Sequence, residues 1–144
     1  MEPPTRIVLA SDHGGYDLKE IIKKHLIDQG IDVIDVQPEL IEADDYPGII
    51  RQGTAAVLEN DCFGIVFGGS GNGEAIVANK QKGIRCALVY SEETAQLARA
   101  HNNANMISLG GRLTDPEDAK KIVDTFLSTD FEGERHARRV EDIE

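Results

Sequence analysis

The sequence predicts an α/β fold built on a five-stranded parallel sheet in a single domain. Three observations carry that expectation. Short apolar runs recur along the chain, and apolar residues return at helical spacing between them. The length of 144 residues suits one domain with a core of its own.

Ile7-Val8-Leu9-Ala10 reads as the first strand. Leu18, Ile21, Ile22 and Leu26 then mark a helix face, and Gly30 is the residue expected just past its end. Ile31 to Val36 is the second strand. Gln37 to Pro47 is polar and bounded by prolines, so a loop is expected, followed by a weaker helix through Ile49, Gly53, Ala56 and Val57. Phe63 to Phe67 is the third strand and runs into Gly68-Gly69-Ser70-Gly71-Asn72-Gly73-Glu74. Ala75 to Lys80 is helical in pattern, and Cys86 to Tyr90 is the fourth strand. Ser91 is suited to cap a helix whose first turn holds Glu92 and Glu93. Met106 to Leu109 is the fifth strand. Thr114-Asp115-Pro116-Glu117-Asp118 is a helix start, and Ala119, Ile122, Val123, Phe126 and Leu127 are its apolar face. Strands alternating with helices imply βαβ units and a parallel sheet.

Composition narrows the function. Lys and Arg total 15 against 26 Asp and Glu, a formal net charge of -11, which argues against nucleic acid and anionic membranes as partners. An anionic substrate needs a local positive cluster, and Arg135-His136-Ala137-Arg138-Arg139 is the densest basic run. Cys62 and Cys86 lie far apart beside apolar residues, so two reduced buried thiols are expected rather than a disulfide or metal site. The first residues hold neither a basic nor an apolar signal region, and no apolar run reaches membrane-spanning length; the expected location is the cytoplasm.

In open parallel sheets, ligands bind beyond the carboxyl ends of the strands. Asp12-His13-Gly14-Gly15, the segment 68–74 and Gly110-Gly111-Arg112 all fall there. Four glycines among residues 68–73 exceed what a turn needs and bring bare N–H groups close to an anion. No Lys-Ser/Thr follows, so the loop is not a nucleotide-binding P-loop, and its place after the third strand does not suit a dinucleotide site. Glu74 admits two local readings. It complements the helix macrodipole, or it is a base that takes a carbon-bound proton while N–H groups stabilise the enediolate oxygen. Burial would raise its proton affinity toward the working pH, against the pull of those N–H donors. His13 either caps locally or handles protons on sugar oxygens. His101-Asn102 either closes a helix or donates to a ring oxygen and holds a hydroxyl, at a strand end neighbouring the loop. Arg112, Arg135, Arg138 and Arg139 are solvated surface or a phosphate clamp. His25 is expected on the surface, and Arg85 in a structural role.

In combination these motifs resemble the ribose-5-phosphate isomerase B family, the wider group that includes the galactose-6-phosphate isomerase subunits. The resemblance runs from about Arg6 to Val140. It rests on Ser11 to Tyr16, Asp45-Tyr46-Pro47, Gly68 to Glu74 with Ala78-Asn79-Lys80, Arg99 to Ala104, Gly110 to Arg112, and Arg135 to Arg139. It implies a single Rossmann-like three-layer α/β/α domain acting as a homodimer with shared active sites, its basic segment at about 130–144 packing on the partner subunit. It implies interconversion of ribose 5-phosphate and ribulose 5-phosphate through a cis-enediolate, with no metal and no cofactor. Asp12 and His13 would contact substrate, and Gly69, Ser70, Gly71, Asn72 and Gly73 would form the anion hole. His101 would act as acid in ring opening, Asn102 would contact the sugar, and Arg112, Arg135 and Arg139 would hold the phosphate. Many members carry a cysteine base at the position of Gly68; another branch uses a glutamate directly after the glycine loop, which makes Glu74 the expected base here.

Three other substrate or function classes stay open on the residues alone. A hexose 6-phosphate (allose or galactose 6-phosphate) would use the same mechanism in a longer pocket, although the glutamate-type loop favours the pentose. A non-catalytic module sensing a nucleotide or sugar phosphate would need neither Glu74 nor His101, and a purely structural oligomerisation domain would leave the arginine cluster unexplained.

Overall fold

The five apolar runs pair into one parallel sheet in the computed structural model, which describes residues 4–41 and 45–144. Strands β1 (Arg6–Ser11), β2 (Asp32–Asp35), β3 (Phe63–Gly68), β4 (Cys86–Leu88) and β5 (Met106–Gly110) lie in the order β2-β1-β3-β5-β4. The helices are α1 (Tyr16–Asp28), α2 (Tyr46–Asn60), α3 (Asn72–Asn79), α4 (Glu92–Asn102), α5 (Pro116–Ser128) and α6 (Arg135–Ile143). The register sets Leu9 opposite Ile65, Ile65 opposite Ile107, and Gly68 opposite Gly110.

The two-residue period of the strands divides the core into two halves. Ile7, Leu9, Ile65, Phe67, Ile107 and Leu109 pack with Leu18, Ile22 and Leu26 of α1 and with the apolar faces of α4 and α5. Val8, Ala10, Val66 and Met106 pack instead with Ile49, Ile50 and Val57 of α2 and Ala75 and Ala78 of α3. Strands β1, β3 and β5 are buried on both faces, which is why they read as unbroken apolar runs rather than alternating ones.

Element ends follow the local chemistry. Gly30 (φ +81) closes α1: Gly30 N donates to Ile27 O and Ile31 N to Leu26 O, satisfying the last carbonyls. Ser91 and Thr94 form a reciprocal capping box on α4, and Asp115 caps α5 with Pro116 following. Strands β2 and β4 are shorter than expected, and three further differences bear on the site. Helix α2 starts at Tyr46, before Ile49, because Pro47 is preset for a first turn; of the expected loop, residues 42–44 lie outside the described residues. Helix α3 starts at Asn72 rather than Ala75, so Glu74 sits within its first turn. The basic run forms α6, which a periodicity search misses because only His136 and Val140 are buried. That segment packs on its own α4, with Glu132 N donating to Ala100 O.

One polar group sits at the core's margin. Lys19 on α1 is fully buried, and its Nζ donates to Asp35 Oδ2 at 2.7 Å and Gln37 O at 2.6 Å, tying the exit of β2 to α1.

Candidate active site

The carboxyl ends of β1, β3 and β5 adjoin at the point where strand order reverses, and the glycine-rich turns converge there. After β1, the Asp12 carboxylate accepts from Gly15 N at 3.2 Å and fixes a short turn through His13. A Cβ on Gly15 would overlap the carbonyl carbon of Phe67, so only glycine lets this turn press against the end of β3. After β3, Gly71 takes φ +85, and Ser108 Oγ donates to its carbonyl at 2.7 Å. Asn72 N donates to Ser70 Oγ at 3.2 Å. After β5, Gly111 N donates to Gly68 O at 2.7 Å and Arg112 N to Gly69 O at 3.0 Å. The loops after β3 and β5 are thus joined by backbone hydrogen bonds, the loop after β1 packs against them, and the Arg112 guanidinium lies over Gly69.

Glu74 is the charged group enclosed by this arrangement, with 4% of its surface exposed. Its carboxyl group fills the space that a side chain on residue 68 would occupy: a Cβ on Gly68 would overlap both carboxyl oxygens. Burial pushes its pKa up from 4.5 to about 7; its own backbone N–H opposes the rise, and the charge of Asp12 with a hydrogen bond to it adds to it. The first N–H groups of α3 have no helical acceptor, because the ladder begins where Ala75 N meets Gly71 O. A carboxyl group with a raised pKa therefore stands beside a row of N–H donors, in the turn that the Arg112 guanidinium covers at Gly69. Tyr46, at the start of α2, rests its hydroxyl over Gly73. Its motif was visible in the sequence, but its place over Gly73 was not, since the link runs through space from α2 to α3.

The remaining expected site residues lie elsewhere in the protomer. His101 and Asn102 end α4, and Asn103 O is gripped by Arg85 Nε and Nη2 at the start of β4. This is the amino edge of the sheet. The expectation that His101-Asn102 stands at a strand end neighbouring the glycine loop is corrected: α4 runs from the carboxyl edge to the amino edge, so its last residues must finish opposite. The length of β5 alone separates the two edges by about 13 Å. Arg135 and Arg139 on α6 join this second group and are exposed. The His136 ring stacks on that of His101 with centroids 4.2 Å apart. Asn102 also lines a cavity of about 500 Å³ with Lys80, Lys82, Arg85 and Glu144. Arg85 is structural, as expected, and His25 bonds Asp124 at 2.8 Å near the surface. Both cysteines are unpaired; burial pushes the Cys86 thiol up to about 12, which makes it unreactive.

A family model described as Ribose/Galactose Isomerase matches residues 7–143. The chain belongs to this family. A ribose-5-phosphate isomerase B of Mycolicibacterium paratuberculosis is 49% identical over 139 residues, covering 94% of this chain and 87% of the relative. The crystal structure of a ribose 5-phosphate isomerase from Thermotoga maritima superposes with a TM-score of 0.94 at 46% identity, covering 96% of this chain and 97% of that one. A ribose-5-phosphate isomerase B from Mycoplasma genitalium, solved with bound ribulose-5-phosphate, gives a TM-score of 0.91 at 43% identity over 96% of this chain and 93% of that one.

Against the pattern of this ribose/galactose isomerase family, residue 68 is the informative departure. Glycine stands where the resemblance places a cysteine in many members, and the vacated volume holds the Glu74 carboxyl. Neither Cys62, half-buried on the α2 side of the sheet, nor Cys86 in β4 is placed to serve instead.

Proposed function

We propose that this chain interconverts ribose 5-phosphate and ribulose 5-phosphate, with Glu74 as the base. The observation that carries the mechanism is the buried Glu74 carboxyl, held near pH 7 against the glycine loop. Its carboxylate removes the proton on C2 of the open-chain aldose. The electron pair forms the C1–C2 double bond, and the negative charge moves to the carbonyl oxygen. N–H groups of Gly69 to Gly73 stabilise that enediolate; a proton passes from the C2 hydroxyl to O1, and as the C2 carbonyl forms Glu74 returns the carbon-bound proton to C1. Asp12 and His13 hold the sugar, and Arg112 lies at the phosphate end.

The same proposal assigns ring opening and the rest of the phosphate clamp to a second copy. His101, Asn102, Arg135 and Arg139 sit at the opposite edge from Glu74, so one chain does not assemble all the named groups. A homodimer that sets the amino edge of one chain against the carboxyl edge of the other completes two sites at once. Ile76 and Leu88, exposed at the β4 edge, and Tyr90 just beyond form an apolar surface suited to such contact. The cytoplasm is the proposed location, in keeping with two unpaired thiols.

A turnover panel tests the substrate. Ribose 5-phosphate is expected to outperform allose 6-phosphate and galactose 6-phosphate, with Glu74→Gln inactive on all three. Preference for a hexose 6-phosphate would keep the mechanism and replace the substrate; binding without turnover of any would leave only a sugar-phosphate-binding module.

A further inference from the structure

His101, Glu132 and His136 present their ligand atoms within 4.8 Å of one another, on α4, on the segment before α6 and on α6. The Nε2 atoms of His101 and His136 lie 3.8 and 3.6 Å from the same oxygen, Glu132 Oε1. Both separations are too long for a hydrogen bond. They are close to the edge of a tetrahedron of ligands around Zn²⁺, about 3.3 Å for bonds of about 2.0–2.1 Å. His136 is 7% exposed, and its Nε2 has no hydrogen-bond partner, an orphan polar atom aimed into the cluster.

We propose that His101, Glu132 and His136 form a binding site for a borderline divalent cation such as Zn²⁺. Two imidazoles and one carboxylate favour Zn²⁺ over Mg²⁺ or Ca²⁺, which take all-oxygen sets. Three protein ligands leave a fourth position for water. The rings stack within 13° of parallel, so their in-plane lone pairs do not yet converge. His101 supplies the adjustment: its side chain is 37% exposed at the last turn of α4 and has room to turn. Arg135 and Arg139 on the same helix as His136 oppose a cation, and Glu132 favours it; the balance points to a reversible site rather than a permanent structural one.

Where the proposed role of His101 holds, the consequence is inhibition. A cation on Nε2 takes the lone pair that carries the proton for ring opening, so the metal would switch off turnover that needs no metal.

Equilibrium dialysis of the intact chain against Zn²⁺ near neutral pH, with Co²⁺ as a spectroscopic probe, tests the site. One metal per chain and tetrahedral Co²⁺ absorption are expected. Glu132→Gln, at an exposed residue that does not endanger folding, should weaken binding at least about tenfold. His136→Ala should abolish it, and His25→Ala should leave the metal count unchanged. Substoichiometric binding, or binding unaltered by Glu132→Gln and His136→Ala, overturns the proposal. Zn²⁺ should lower turnover of ribose 5-phosphate, and EDTA should restore it. Full stoichiometry without that loss keeps the metal site and instead overturns the ring-opening role of His101.

Discussion

At the residue scale, Glu74 combines two conflicting demands. A free glutamate is a weak base, and a fully buried one resists ionising. Enclosure beside Asp12 places it near pH 7, where it both holds and releases a proton at the working pH. Glu74→Gln should lower turnover about 10²–10⁴-fold while sugar-phosphate binding, read by calorimetry, persists. Wild-type kcat/KM should rise as pH climbs through about 7, since the base acts when ionised. Stability runs the other way. The folded pKa is above the unfolded value, so the folded state gains from the bound proton at low pH and loses that gain as pH rises from about 4.5 to about 7. The displacement corresponds to about 3 kcal/mol, so the stability of Glu74→Gln relative to wild type should grow over that interval in denaturant titrations. A constant difference would remove the buried-carboxyl account.

At the element scale, the turn between β3 and α3 depends on missing side chains. Gly68 leaves room for the Glu74 carboxyl, and Gly73 leaves room for the Tyr46 hydroxyl. Gly68→Ala would push against the far end of a flexible side chain, which moves at small cost. Turnover should therefore fall at least about tenfold with a stability loss under about 2 kcal/mol, a split read by kinetics alongside thermal melts. Comparable losses in both would mean the backbone itself had shifted. Gly71 is a different case, because φ +85 and a Cβ position 2.9 Å from Ser108 Oγ penalise any side chain in the fold itself.

At the scale of the whole molecule, the named groups fall at opposite edges of the sheet, and complementation tests the shared site. Glu74→Gln spoils one edge and His101→Ala the other. Mixed and reassembled in equal amounts, half of the dimers are heterodimers, and each has one site built from two intact edges. About a quarter of wild-type activity should return from two inactive parents. No recovery on subunit exchange, shown by mass spectrometry to have occurred, would place the whole site within one chain.

Much of this was legible in the residues themselves, for reasons that are local. Unbroken apolar runs follow from strands covered on both faces, and Ser91, Asp115, Pro116 and Gly30 punctuate helices because orphan backbone groups need partners. The segment 68–74 reads as a tight strand-to-helix turn that carries a carboxylate, because glycine density and chain order are sequence properties. Helix α6 was hidden because its two buried residues carry too little periodicity. The surroundings of Glu74 were hidden as well: Asp12 reaches it from the end of β1, and Tyr46 of α2 covers the neighbouring Gly73. Only tertiary structure decided that the Glu74 carboxyl has a pKa of about 7, since burial and a second carboxyl, not residue type, set its proton affinity. It also decided that His101 belongs to the far edge, because the direction of α4 across the sheet determines where its last turn ends.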